Sequence, residues 1–118
     1  MLRPETMQPA RATATAAASL VQDGVVLLPR GNDGVGIVGA FAIESPPGLR
    51  LLIVEPTTTA AQIRERLNAF PRVVLALMVQ DEASRIVATS MRQALIDPCW
   101  QPAGEGFNVL AYQKVCGK

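Results

Sequence analysis

Histidine is absent from the 118 residues of this chain. That one gap removes the Ser-His and Cys-His nucleophile pairs, an imidazole acid or base, and any His-ligated zinc. Other reactive types are scarce. There are two lysines and one tyrosine, and Lys114, Lys118 and Tyr112 all fall at the C-terminal end, so catalysis would have to rest on them, on carboxylates or on cysteine. Cys99 and Cys116 are too few for a disulfide framework or a zinc site, and reduced thiols in a cytoplasmic protein are expected. No apolar run reaches the roughly 18 to 20 residues that cross a bilayer, because the longest, Val35 to Ile43, is broken by glycines. The Ala/Thr-rich stretch ATATAAASLV is too poor in Leu and Val for the apolar core of a secretory signal, so export is not expected. Charge of one sign is also missing. Eleven basic residues against ten acidic ones leave a net charge of +1, so binding to nucleic acid or to an anionic membrane would need a local patch.

What is present describes a folded chain. Apolar residues make up 49% and charged residues 18%, far from the disordered class, and the length suits one domain. Residues 1–9 read as a polar, proline-punctuated tail and 10–118 as a single α/β domain. A first helix is expected over 10–22, with Gly24 as its left-handed cap. VVLLPR and VGIVGAFAIE read as strands of a hairpin about Gly31-Asn32-Asp33-Gly34, and LRLLIVE as a third antiparallel strand after Ser45-Pro46-Pro47-Gly48. Thr59 and Gln62 spell a capping box for a helix burying Ile63, Leu67 and Phe70. RVVLALMVQ reads as a buried strand. Asp81 then caps a helix whose apolar stripe runs through Ala83, Ile86, Val87, Ser90, Met91, Ala94 and Leu95 until Asp97-Pro98 stops it. GFNVLAYQKV closes the chain as a strand. The expected order is α-β-β-β-α-β-α-β: about five strands in a mostly antiparallel or mixed sheet, covered by two or three helices.

Four groups of residues have chemistry to offer. Nine of the eleven basic residues are Arg, and Arg64, Arg66, Arg72, Arg85 and Arg92 would form a basic face on the two later helices, suited to phosphate or carboxylate. Without convergence they are the wet sides of amphipathic helices. Gly34, Gly36 and Gly39 spell G-x-G-x-x-G, and Glu55 ends a later strand where a dinucleotide-binding fold keeps its ribose carboxylate. That reading needs a helix after the glycines, whereas the β-rich sequence there predicts a strand. Glu44 and Glu55 would flank the second turn as a carboxylate pair. Trp100 is either a partner anchor or packing over the core edge. None of these groups requires a metal or a cofactor.

The segments GAFAIESPPGLRLLIV, PTTTAAQIRERLN, VLALMVQDEASRIVATSMRQALID and GEGFNV together resemble a GIY-YIG nuclease domain of the phage-type branch. The resemblance covers about 70 residues, from Gly39 to Val109. It implies a first strand pair with two tyrosines, a first helix with a catalytic Arg and a second helix with a metal-binding Glu. This chain has Phe41 at the first tyrosine-like place, Ile53-Val54 at the second and Ala88 near the glutamate position, so only Arg64 or Arg66 matches. A second register sets Gly24-Val25-Val26 and Ile37-Val38-Gly39 on the motif halves, again without tyrosines. The resemblance therefore implies a degenerate domain without nuclease activity, which has lost the metal carboxylate that would polarise a phosphoryl group. The leading expectation is a non-catalytic regulatory or adaptor module, binding a protein partner or nucleic acid through Arg64, Arg66, Arg85, Arg92 and Trp100. The alternatives are a small-molecule or nucleotide binder using Gly34, Gly36, Gly39 and Glu55, and a structural subunit that buries its apolar surplus as a homo-oligomer or in a larger assembly.

Overall fold

The computed structural model describes residues 4–30, 36–79 and 81–116, without the side chains of 4–9, 36–38 and 40. Nine elements follow one another: α1 (Pro4–Val21), β1 (Val25–Pro29), α2 (Gly36–Glu44), β2 (Leu51–Val54), α3 (Ala60–Leu67), β3 (Arg72–Ala76), α4 (Glu82–Ala94), β4 (Trp100–Gly106) and β5 (Val109–Lys114). The five strands form one mixed sheet in the order β2-β1-β3-β5-β4. β1 pairs in parallel with both β2 and β3, while β5 runs antiparallel to β3 and to β4.

Alternation within β1 and β3 divides the core in two. Val26, Leu28, Val74 and Ala76 face α1 and α2, where Ala10, Ala14, Ala17, Val21 and Phe41 meet them. Val25, Leu27, Val73 and Leu75 face α3 and α4, against Ile63, Leu67, Val87 and Met91. Burying each large aliphatic side chain contributes about 1.5–3 kcal/mol, so these central strands anchor the domain. The Ala/Thr-rich segment is thus a core helix: small side chains let α1 lie close across β1, β3, β4 and β5.

Both expected helix starts are present. Thr59 Oγ1 accepts from Gln62 N at 3.1 Å, and Gln62 Oε1 accepts from Thr59 N at 2.9 Å. Asp81 Oδ1 accepts from Ser84 N at 2.8 Å, and Ser84 Oγ accepts from Asp81 N at 3.1 Å. The α4 stripe is turned slightly from the expected one: Ser84, Val87, Ala88, Met91 and Ala94 are buried, while Ile86 is exposed.

Several expectations are corrected. GIVGAFAIE, expected as a strand, is α2, and the three consecutive antiparallel strands are replaced by a β1-α2-β2 crossover between parallel strands. An apolar run of this length has no period that separates a buried helix from a buried strand, and parallel pairing of β1 with β2 demands a crossing element. The Gly31 to Gly34 turn of the expected hairpin lies outside the described residues. WQPAGEG, expected as a connection, is the edge strand β4, joined to β5 through Phe107-Asn108 with Asn108 at φ 57°. α1 begins at Pro4 rather than at residue 10. The left-handed residue after α1 is Gln22, at φ 51°. Gly24 is needed for another reason, since a Cβ there would stand 2.0 Å from the carbonyl oxygen of Arg72. Finally, Cys99 and Cys116 are not free thiols but are joined in a disulfide, because the β4–β5 pairing brings their Cα atoms to 5.0 Å.

Candidate functional site

Helical cover on the α3–α4 side stops short of the β5–β4 hairpin. Along that margin runs a crevice of about 530 Å³. Arg85, Thr89 and Arg92 of α4 form one wall, Leu77 and Leu110 contribute apolar surface, and Glu105 and Asn108 come from the hairpin. Arg85 and Arg92 are seven residues apart, about two turns or 10 Å along one side of the helix. The two cations are held differently. Arg85 Nη1 lies 3.0 Å from Glu82 Oε1 in an exposed pair, whereas Arg92 makes no ion pair among the described residues. The hairpin wall is fixed from behind, where Asn108 Nδ2 donates to Thr13 Oγ1 of α1 at 3.4 Å. Val79, 40% exposed, lines the crevice as well, and Phe107, 54% exposed, adds apolar surface between the lining residues Gly106 and Asn108 in the chain.

The other expected cations do not join this site. Arg64 spans from α3 to the end of α4, donating from Nε to Ala94 O at 3.1 Å and from Nη2 to Gln93 O at 3.4 Å, with Asp97 Oδ2 at 3.8 Å. It neutralises the terminal carbonyls of α4, a structural task at the negative end of a helix. Arg72 donates to Leu20 O, Ala103 O and Gln113 Oε1, stitching α1 to the hairpin. Arg66 lines a separate polar crevice of about 540 Å³ with Glu55, Thr57, Thr58 and Glu65. The expected single basic face is therefore divided among four places, and only Arg85 and Arg92 share one.

Trp100 is 5% exposed and belongs to the core, so it offers no surface for a partner. Glu44 is the last residue of α2 and Glu55 follows β2, and they form no carboxylate pair: Glu44 meets Arg11 at 3.0 Å and Glu55 meets Arg30 at 3.1 Å. Of the glycine motif, Gly36 is the first residue of α2 and Gly39 lies in its first turn, while Gly34 falls outside the described residues. No group of three or more His, Cys, Asp or Glu arranged to hold a metal is found among the described residues. Leu77, Glu105, Asn108 and Leu110 were not legible as site residues. Their one available signal was Gly106-Phe107-Asn108, in which Asn tolerates positive φ and so marks a turn rather than a continuing strand.

These arrangements define a three-layer α/β/α domain with a cationic, partly apolar crevice at the border between its parallel strands and its hairpin. No family model matches the chain, and no curated protein or solved structure is significantly similar to it. No helix among the described residues is long and apolar enough to cross a membrane.

Proposed function

We propose that this chain is a regulatory or adaptor module that uses the α4–hairpin crevice to hold an acidic, partly apolar segment of a protein partner. The observation that carries this reading is the convergence of Arg85 and Arg92 over Leu77 and Leu110 where helical cover ends. Guanidinium groups grip a carboxylate through paired donors, and apolar surface beside them adds affinity that charge alone does not supply. Two arginines facing Glu105 make a poor track for a nucleic-acid backbone, which favours protein as the partner. The test is fluorescence anisotropy with a labelled Glu/Leu-rich peptide and, separately, a labelled single-stranded oligonucleotide. Saturable peptide binding that Arg92→Glu abolishes is expected. Binding of the oligonucleotide alone, with a steep salt dependence, would reassign the crevice to nucleic acid.

A second reading is favoured by a separate observation. Gly36 opens a helix after a strand, and Glu55 immediately follows the parallel strand β2, which is the context a G-x-G-x-x-G nucleotide site requires. Departures are the nine-residue length of α2 and the exposed Arg30–Glu55 pair, which a ribose would have to open. A nucleotide at 100 times its dissociation constant would add about 2.7 kcal/mol to stability. Absence of a thermal shift with any nucleotide removes this reading.

A further inference from the structure

Away from the proposed binding crevice, the disulfide opens on a second concavity of about 400 Å³, lined by Arg64, Asp97, Cys99, Trp100, Lys114 and Cys116. Neither cysteine is fully buried, and Cys116 also borders a neighbouring crevice beside Phe70 and Pro71, so a reagent can approach it from two sides. The surrounding backbone is held without the sulfur bridge. Lys114 N donates to Pro71 O at 2.9 Å, and Val115 N donates to Cys99 O at 2.7 Å. Trp100 pairs with Lys114 in the β4–β5 ladder. Breaking the bridge therefore leaves the hairpin in place.

The charges around the sulfurs are mixed, with a cationic excess. Arg64 and Lys114 line the same concavity from α3 and β5, Arg64 donating to Ala94 O at 3.1 Å and Lys114 Nζ to Asn68 O at 2.8 Å, and Asp97 accepts from the backbone N of Cys99 at 2.8 Å. Two cations against one carboxylate favour a thiolate over a thiol, and a stabilised thiolate both leaves more readily in exchange and shifts the equilibrium toward the reduced form.

We propose that Cys99–Cys116 is an exchangeable disulfide, a redox modification site whose co-substrate is a dithiol reductant. One thiolate of the dithiol attacks Sγ of Cys116, the bridge breaks, and Sγ of Cys99 leaves as a thiolate. The second thiolate of the dithiol then attacks its own mixed-disulfide sulfur and releases the Cys116 thiolate. Two electrons pass to the protein, the dithiol becomes a disulfide, and its two protons end on Cys99 and Cys116. Trp100, the one tryptophan of the chain, stands beside the bridge and reports the change.

The experiment equilibrates the full chain in graded ratios of reduced to oxidised dithiothreitol, traps thiols with iodoacetamide and counts adducts by mass, with Trp100 emission and far-UV circular dichroism recorded in parallel. Two adducts should appear in a single reversible transition while the helical signal is retained. Cys116→Ser should take one adduct at every ratio. Lys114→Gln should lower the equilibrium constant for reduction by up to about tenfold, the ratio that one unit of thiol acidity is worth. A folded chain that resists alkylation at every ratio, or one that loses its helical signal as adducts form, overturns the proposal. An unchanged constant in Lys114→Gln overturns the part assigned to the cation.

Discussion

Every residue of β1, Val25 to Pro29, is buried, whereas of the seven residues of β4 only Trp100 is. Both strands belong to the same sheet, and the contrast follows from how each is connected. Parallel strands are joined by crossing helices, which cover both faces, so β1 and β3 read as unbroken apolar runs. The antiparallel hairpin is closed by two residues and needs no crossing element. It lies under α1 on one face and meets only the margin of α4 on the other. Concave, polar-lined surface lies at the hairpin border, where the chain has Arg85, Arg92, Glu105 and the disulfide, and again beyond β2, where Glu55, Thr58 and Arg66 line a crevice.

The sharpest test of this contrast is a pair of identical truncations on one face of the sheet. Leu27→Ala should cost about 3–4 kcal/mol, because the side chain is wholly buried and the packed layers around it cannot collapse. Leu110→Ala, half-buried at the crevice, should cost about 1 kcal/mol on area grounds. Urea denaturation measures both, and equal losses would break the comparison. Next in size is Cys99→Ser. Releasing a bridge that spans 17 residues should lower stability by about 3 kcal/mol through the entropy of the unfolded chain, while a cooperative transition remains. Loss of that transition would mean that the hairpin depends on sulfur rather than on its ladder.

Smaller effects fall at the ends of elements. Asp81→Ala should cost about 1 kcal/mol by stripping the N-cap from α4, read as a lower thermal midpoint, and the helix would lose its orientation over the crevice. Phe107→Ser should change stability by less than about 0.5 kcal/mol, because the ring stands 54% exposed at a two-residue turn. If that substitution instead weakens binding of the Glu/Leu-rich peptide, the hairpin tip belongs to the docking surface together with Arg92.

Some of this architecture could be read directly from local residues. Thr59 with Gln62, and Asp81 before an apolar stripe, mark helix starts because a side-chain oxygen three residues from an unsatisfied amide closes the bond whatever else surrounds it. RVVLA reads as a buried strand by the same local logic, whereas LRLLIVE, an apolar run of the kind expected at the centre of a sheet, is the edge strand β2. The misreadings share a different origin. GIVGAFAIE carries no period of either 2 or 3.6, so its state waited on β1 and β2 lying parallel. The basic face failed because Arg64, Arg66, Arg85 and Arg92 share a sequence pattern but not an environment, and Arg64 is taken up by carbonyls 30 residues away.

Residue order alone thus settled where α3 and α4 start, that RVVLA is a buried strand, and that no imidazole chemistry is available, since each rests on side-chain type and near neighbours. Packing settled the rest: the helical state of α2, the existence of β4, the pairing of Cys99 with Cys116, and the meeting of Arg85 and Arg92 with Leu110. Each of those depends on contacts between segments far apart in the chain, whose free energy exists only once the sheet has assembled and which no short window of sequence contains.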